Sequence, residues 1–154
     1  MVDPGGRDTA VYSRILVTLE HSPADASILA HVRPLAKSCG ASVVLIHVAD
    51  GWAARYAESL ALRESEEIRL DRAYIEQCRA DLEAEGVSAE AVLASGSPCE
   101  EIVAAAEREG ADLIAMATHG HGLLGDIVHG SVANEVRHRT MVPVLLVRAT
   151  PPAA

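Results

Sequence analysis

Residues 112–136 read "DLIAMATHGHGLLGDIVHGSVANEV", an apolar run that gives way to a glycine-rich loop and then to a helical pattern. Gly120, Gly122, Gly125 and Gly130 all fall here, four of the eleven glycines in the chain. Glycine loses more backbone entropy on folding than other residues, so it gathers where the chain needs positive φ or where something approaches the backbone closely. The run "DLIAMAT" (Asp112 to Thr118) is short and almost continuously apolar, as a strand covered on both faces reads. The next helix is expected at 131–139, directly after Gly130. Strand, glycine loop and helix start in succession form an anion-binding geometry: unpaired amides and the positive end of the helix dipole converge on one place.

Working outward, four more strand candidates appear: "RILVTLE" (Arg14 to Glu20), "SVVLIHVAD" (Ser42 to Asp50), "AEAVLAS" (Ala89 to Ser95) and "VPVLLVR" (Val142 to Arg148). Helical patterns lie between them at 24–38, 57–85 and 98–109, besides 131–139. The order βαβαβαβαβ is the signature of an open α/β domain with helices on both faces of a parallel sheet. Two helix starts are explicit. "SPAD" (Ser22 to Asp25) and "SPCE" (Ser97 to Glu100) each place Ser at the N-cap, Pro at the first helical position and a carboxylate at the third. In the long helix, Leu60, Ile68, Ile75, Cys78 and Leu82 form one apolar stripe, leaving "RESEE" among the solvated charges.

Composition bounds the function. A chain of 154 residues with 49% hydrophobic content is one ordinary soluble domain. Its N-terminus has neither a basic nor an apolar leader region, and no apolar run reaches transmembrane length, so a cytoplasmic location is expected. A net charge of −9 repels phosphate backbones and anionic lipid, and 3% aromatics without any Phe offer no base-stacking platform. Nucleic acid and membrane are therefore not expected as partners. Cys39, Cys78 and Cys99 fit neither a disulfide framework nor a CxxC metal site and read as buried thiols.

Two phosphate motifs nearly match the loop. "GHGLLG" (Gly120 to Gly125) satisfies GxGxxG, but the dinucleotide reading needs a helix running on from Gly125 and an acid about twenty residues later. Gly130 is expected to interrupt that helix, and "VPVLLVR" carries no acid. The Walker A form fails because Asp126 stands where a lysine must reach the phosphates.

The spacing that does hold is Ala117, Thr118, His119, Gly120, then nine residues, then Gly130 and Ser131. It resembles the GxxGx9G(S/T) loop of the universal stress protein family, in its ATP-binding branch. "YSRILVTLEHS" is similar to the family's first strand and turn, "LIHVAD" to its second strand and "VPVLLVR" to its last, so the resemblance covers nearly the whole chain. It implies a single open parallel five-stranded sheet of order 3-2-1-4-5. The domain would span 12–149, between a flexible N-terminal segment at 1–11 and a tail at 150–154. Ligands in such sheets bind at the switch point, outside the carboxyl ends of the strands.

The resemblance further implies ATP or another adenine nucleotide as ligand, with Mg2+ as an optional companion. The adenine would lie near Glu20, Val48 and Met116, with Thr18 in the same set, and the ribose near Ala117. The phosphates would lie against Gly120, Gly130, Ser131 and Val132, with His119 part of the motif and His121 facing phosphate. Glycines at 120 and 130 let phosphate oxygens reach backbone amides, and Ser131 adds a hydroxyl. The competing reading is that these glycines only shape a turn and a cap. Three departures stand out: Ala117 replaces the opening glycine, Glu20 replaces the usual Asp, and His121 and Asp126 replace basic residues that would compensate a triphosphate.

His119, His121 and His129 match no closed zinc site, and no metal is expected. His129 reads as surface, and His47 as a hydrogen-bonded core residue rather than a base. No Ser-His-acid, Cys-His or paired-carboxylate set can be placed, so no catalytic residue is assigned, and Cys99 reads as a structural thiol despite its place in a first helical turn. The function implied is a nucleotide-dependent stress-response switch with slow or no hydrolysis. Two other classes stay open: a small-molecule enzyme such as a nucleotidyl transferase or hydrolase, and a dimeric interaction module without nucleotide. The last strand, Val142 to Arg148, would lie at the sheet edge and pair with a second copy across a two-fold axis.

Overall fold

The structure is a computed structural model that describes residues 10–50, 57–118 and 126–150, and the side chains of all of these except 50, 57–65 and 126–131. Along the chain run β1 (Arg14–Thr18), α1 (Ala24–Cys39), β2 (Ser42–Asp50), α2 (Ala57–Ala84), β3 (Ala89–Gly96), α3 (Pro98–Glu109), β4 (Leu113–Thr118), α4 (Asp126–Arg139) and β5 (Val144–Arg148). The strands form one sheet in the order β3-β2-β1-β4-β5. Every neighbouring pair is parallel, with Thr18 opposite Ile46 and Val17 opposite Ala115.

Strand alternation divides the core in two. Ile15, Val17, Leu19, Val43, Leu45, Leu113 and Ala115 pack with Ile28 and Val32 of α1 and Ile75 and Leu82 of α2. Leu16, Val44, Ile46, Ile114 and Met116 pack with Ile102 and Ala105 of α3 and Ala133 and Val136 of α4. Successive side chains of a strand point to opposite faces, so the near-continuous apolar runs serve both clusters at once. The amphipathic stripe of α2 is present in Ile75, Cys78 and Leu82, all buried, with Ile68 half-buried, whereas Leu60 has its side chain outside the described set.

At the N-terminal end of the sheet a polar clamp sets the strand register. The Asp112 carboxylate accepts the Ser13 and Arg14 amides at 2.8 and 3.0 Å. The Arg14 guanidinium donates to Glu109 at 2.8 Å and to Glu90 at 3.1 Å. The bond to Glu109 holds the Arg14 proton more tightly than usual, against the cost of desolvation, with Glu90 adding to the hold. This clamp lies at the end of β1 remote from Thr18.

Two helix starts differ from the sequence expectation. α1 begins at Ala24, with Pro23 rather than Ser22 at the cap position. Ser22 still acts there, since its Oγ accepts the Ala24 amide at 3.3 Å. The larger correction concerns α4, which begins at Asp126 and not at Ser131. Gly130 and Ser131 therefore sit inside the helix instead of opening it. A helix-interior glycine costs only about 1 kcal/mol relative to alanine, and Asp is favoured in the first turn of a helix. Gly130 accordingly does not exclude the dinucleotide reading, which fails instead on the absence of an acid in β5.

Candidate functional site

Parallel pairing brings the carboxyl ends of β1, β2 and β4 to one edge of the sheet. β1 and β4 are neighbours, yet the helices that follow them pack on opposite faces, α1 in the first cluster and α4 in the second. Neighbouring parallel strands followed by helices on opposite faces make a switch point, the place where open α/β sheets have their ligand-binding crevice.

The wall of this crevice on the β1 side is the turn Leu19 to Pro23. Its centre is Asp25, a carboxylate only 1% exposed. Oδ1 accepts the Glu20 amide at 2.9 Å, and Oδ2 accepts the amides of His21 at 2.9 Å and Ser22 at 3.3 Å. Oδ2 also accepts the Tyr74 hydroxyl at 2.6 Å. Four donors offset the cost of burying the charge, and the acid lies in the first turn of α1, where the helix dipole favours it. Burial, and then the bond to Asp25, push the Tyr74 hydroxyl well above the ordinary phenol range.

His21 adopts φ 59°, the one left-handed non-glycine residue among the described ones. A side chain in that region costs roughly 1–2 kcal/mol and persists where its surroundings hold it. Here the imidazole stacks on Tyr74 with centroids 4.0 Å apart and planes at 16°. Its Nδ1 donates to Asp71 Oδ1 at 2.6 Å. Across the same carboxylate stands His47, whose Nδ1 donates to the Leu19 carbonyl at 2.8 Å and whose Nε2 lies 3.4 Å from Asp71 Oδ2. His47 is thus a hydrogen-bonded, largely buried residue, as its sequence setting indicates.

The expected nucleotide contacts divide in three. Thr18, Met116 and Ala117 are buried at the ends of β1 and β4, and Glu20 and Val48 are half-buried nearby. Val48, Met116 and Val132 all pack in or against the second cluster, so three apolar contacts share one face of the sheet. Glu20 Oε2 accepts the Ser22 hydroxyl at 3.1 Å, which ties its carboxylate to the turn. Gly130 and Ser131 lie in α4 by their backbone alone, and His119, Gly120 and His121 lie outside the described residues.

The sequence reading missed Asp71 and Tyr74, and gave His21 and Asp25 too small a part. A signal for the first two was present. Asp71 and Tyr74 are three residues apart, so they share a face of α2 beside the apolar stripe of Ile75, Cys78 and Leu82. Asp25 was legible as a capping acid, but its bonds to three successive amides depend on how the turn folds back.

Burial raises the Cys99 thiol above its ordinary pKa, with Arg139 opposing, and burial likewise raises Cys78, so neither is an activated nucleophile. All three cysteines are free of disulfides, with Cys78 and Cys99 buried and Cys39 half-buried. No group of three metal-ligating side chains occurs among the described residues. No described helix is long and apolar enough to cross a membrane.

Comparison with known proteins agrees with this architecture. The sequence profile described as the Universal stress protein family matches residues 12–148. A universal stress protein of Thermus aquaticus is 34% identical over 140 residues, covering 90% of this chain and all of the relative. The solved structure of hypothetical protein MJ0577 is 30% identical, with a TM-score of 0.76 over 90% of this chain and 97% of that one. A universal stress protein of Archaeoglobus fulgidus, solved in complex with dAMP, is 22% identical, with a TM-score of 0.66 over 89% of this chain and 98% of that one, and it shares the fold. With a profile match over most of its length, and relatives matched nearly end to end, the chain belongs to the universal stress protein family.

Proposed function

We propose that this protein binds an adenine nucleotide, ATP by its loop spacing, in the crevice between β1 and β4, and works as a nucleotide-dependent regulatory switch in a stress response with slow or no hydrolysis. The observation that carries this reading is the switch point itself: adjacent parallel strands whose following helices pack on opposite faces. The site would comprise Thr18, Glu20, Val48, Met116, Ala117, His119, Gly120, His121, Gly130, Ser131 and Val132, with Mg2+ as an optional companion of the phosphates. A universal stress protein of the same fold holds dAMP, which supports an adenine nucleotide as the class of ligand. With α4 starting at Asp126, the amides of its first turn are the helix donors nearest the loop, and Gly130 offers a Cβ-free surface one turn further on.

We further propose a homodimer through β5. This strand is at the sheet edge, Leu146 on it is 45% exposed, and Met141 shortly before it in the chain is fully exposed. An apolar strand with an unpaired edge is covered by a second copy in a two-fold assembly.

Titration calorimetry with ATP, ADP, AMP and cyclic AMP tests the binding. Millimolar ligand without heat for any of them would overturn the reading. Gly130→Asp should abolish binding while leaving the thermal transition intact, because a carboxylate repels phosphate there and Asp is better tolerated than Gly inside a helix. Phosphate release should stay far below the roughly 10 s⁻¹ typical of enzymes. Fast turnover would favour the enzyme class instead.

A further inference from the structure

The five strands close at their carboxyl ends on Thr18, Asp50, Gly96, Thr118 and Arg148, and of these Arg148 alone is a cation. No Lys or Arg occurs at 15–32, 38–54 or 111–136, in a chain of net charge −9. Those stretches hold the ends of β1, β2 and β4, the glycine-rich stretch and most of α4, which itself opens on Asp126. An anion bound there would meet helix amides but no fixed positive side chain from any of them.

Register decides which face Arg148 takes. β4 and β5 pair with Met116 opposite Leu146, Ala117 opposite Val147 and Thr118 opposite Arg148. Leu145, Val147 and Ala149 pack against the first cluster and Val144 against the second, so strand alternation puts Arg148 on the second face, with Met116, Val132 and α4. Thr118 is the last residue before the glycine-rich stretch, and neighbouring strands lie about 4.8 Å apart, a gap that an arginine side chain spans. The backbone beyond Arg148 is held in place. The Ala149 amide donates to the Thr118 carbonyl at 2.7 Å, and the Thr150 amide to Ser27 Oγ at 2.9 Å. Arg148 itself is exposed, and among the described residues no carboxylate pairs with it, whereas Arg14, Arg33, Arg79 and Arg139 each have one.

A nucleotide with its base at Val48 and Glu20 and its ribose at Ala117 runs across the sheet from β2 past β1 to β4, and the next strand in that direction is β5. We propose that Arg148 holds the outer phosphates of the nucleotide, so that the site selects a nucleoside di- or triphosphate over a monophosphate. This rests on the nucleotide reading and adds its specificity. A guanidinium can pair with two phosphate oxygens at once, and such a contact is stronger than one between neutral groups. The phosphate next to the ribose is left to the amides at the start of α4, which a mono- and a triphosphate use alike.

Calorimetry with ATP, ADP and AMP on the full chain, as wild type, Arg148→Gln and Arg148→Lys, tests this. Arg148→Gln should weaken ATP about tenfold, the size of one charge-assisted contact, and AMP by less than about twofold. Arg148→Lys keeps the charge but not the fork, and should cost ATP only about threefold. Because β5 is also the proposed dimer strand, light scattering is read on the same samples. A role in assembly or in strand pairing alone would weaken ATP and AMP equally, which would overturn the proposal, as would unchanged ATP affinity in Arg148→Gln. If the wild type binds none of the three, the nucleotide reading falls and the selectivity with it, whereas AMP bound as tightly as ATP removes the selectivity alone. Should Arg148→Gln fail to fold, the wild type decides. An advantage of ATP over AMP that shrinks several-fold between about 50 and about 500 mM NaCl, as an exposed charge contact is screened, supports the proposal, and an advantage that salt leaves unchanged overturns it.

Discussion

The Tyr74 hydroxyl donates to Asp25 Oδ2 at 2.6 Å, joining two helices across 49 residues of sequence at the base of the turn after β1. The carboxylate that accepts it also holds three successive backbone amides, so this one contact connects α2 to the wall of the crevice. Asp25→Asn replaces one acceptor oxygen with a donor facing donors, and should cost about 2–3 kcal/mol in urea unfolding. Tyr74→Phe removes a single donor and should cost about 1–1.5 kcal/mol. In the double mutant the losses should be less than additive, and strict additivity would show that the two do not share one network.

Alkaline pH should weaken the fold through the same region. Tyr74, Cys78 and Cys99 all have folded pKa values raised, chiefly by burial. The unfolded chain surrenders these protons first, thiols near ~8.5 and phenol near ~10, so the stabilisation is full below about pH 8 and is lost as pH rises. Urea midpoints at pH 7.5, 9.0 and 10.5 should fall in that order, with a slope of at most about 1.4 kcal/mol per pH unit for each group. Cys78→Ala should flatten the curve between the first two points, and Tyr74→Phe above the second.

Gly110 ends α3 in the left-handed region at φ 64°, its amide bonded back to Ala106 and Glu107. A Cβ there meets no atom within 4 Å, so the conformation itself sets the cost of substitution. Gly110→Ala should lower stability by about 1 kcal/mol and Gly110→Asn by roughly half that, because Asn tolerates this region better. Equal melting temperatures for the wild type and Gly110→Ala would contradict the assignment of the cap.

For the proposed dimer, Leu146 is the informative position on β5. Leu145 and Val147 pack against the first core cluster, so a lysine at either would disturb the fold as well as an interface. Leu146 points outward, and Leu146→Lys should raise the dimer dissociation constant by about 100-fold, roughly 3 kcal/mol over two symmetric sites, without lowering the thermal transition of the monomer. Light scattering at micromolar concentration reads this directly. A wild-type mass near 16.2 kDa would show that β5 is not paired.

The sequence by itself determined the five strands and four helices and their order, and it carries a glycine-rich stretch between β4 and α4. Each of these rests on a local pattern: apolar runs such as "LIAMAT" with no polar face, the stripe of Ile75, Cys78 and Leu82, and the punctuation of Ser97 and Pro98. The family followed from a resemblance, carried by the Ala117 to Ser131 loop pattern and by the first, second and last strand segments. Where two local signals competed, the reading erred: Gly130 looked like a helix boundary, yet α4 starts at Asp126, since a helix bears one weak residue when its neighbours favour it. Only the tertiary structure decided the crevice wall. His21 carries no mark in the sequence of a left-handed backbone, and Asp71, Tyr74 and His47 are ordinary polar residues on their own elements. They become one network because parallel pairing sets the end of β2 beside the end of β1 and packs α2 across both, bringing together groups from positions 19 to 74 that no periodicity relates.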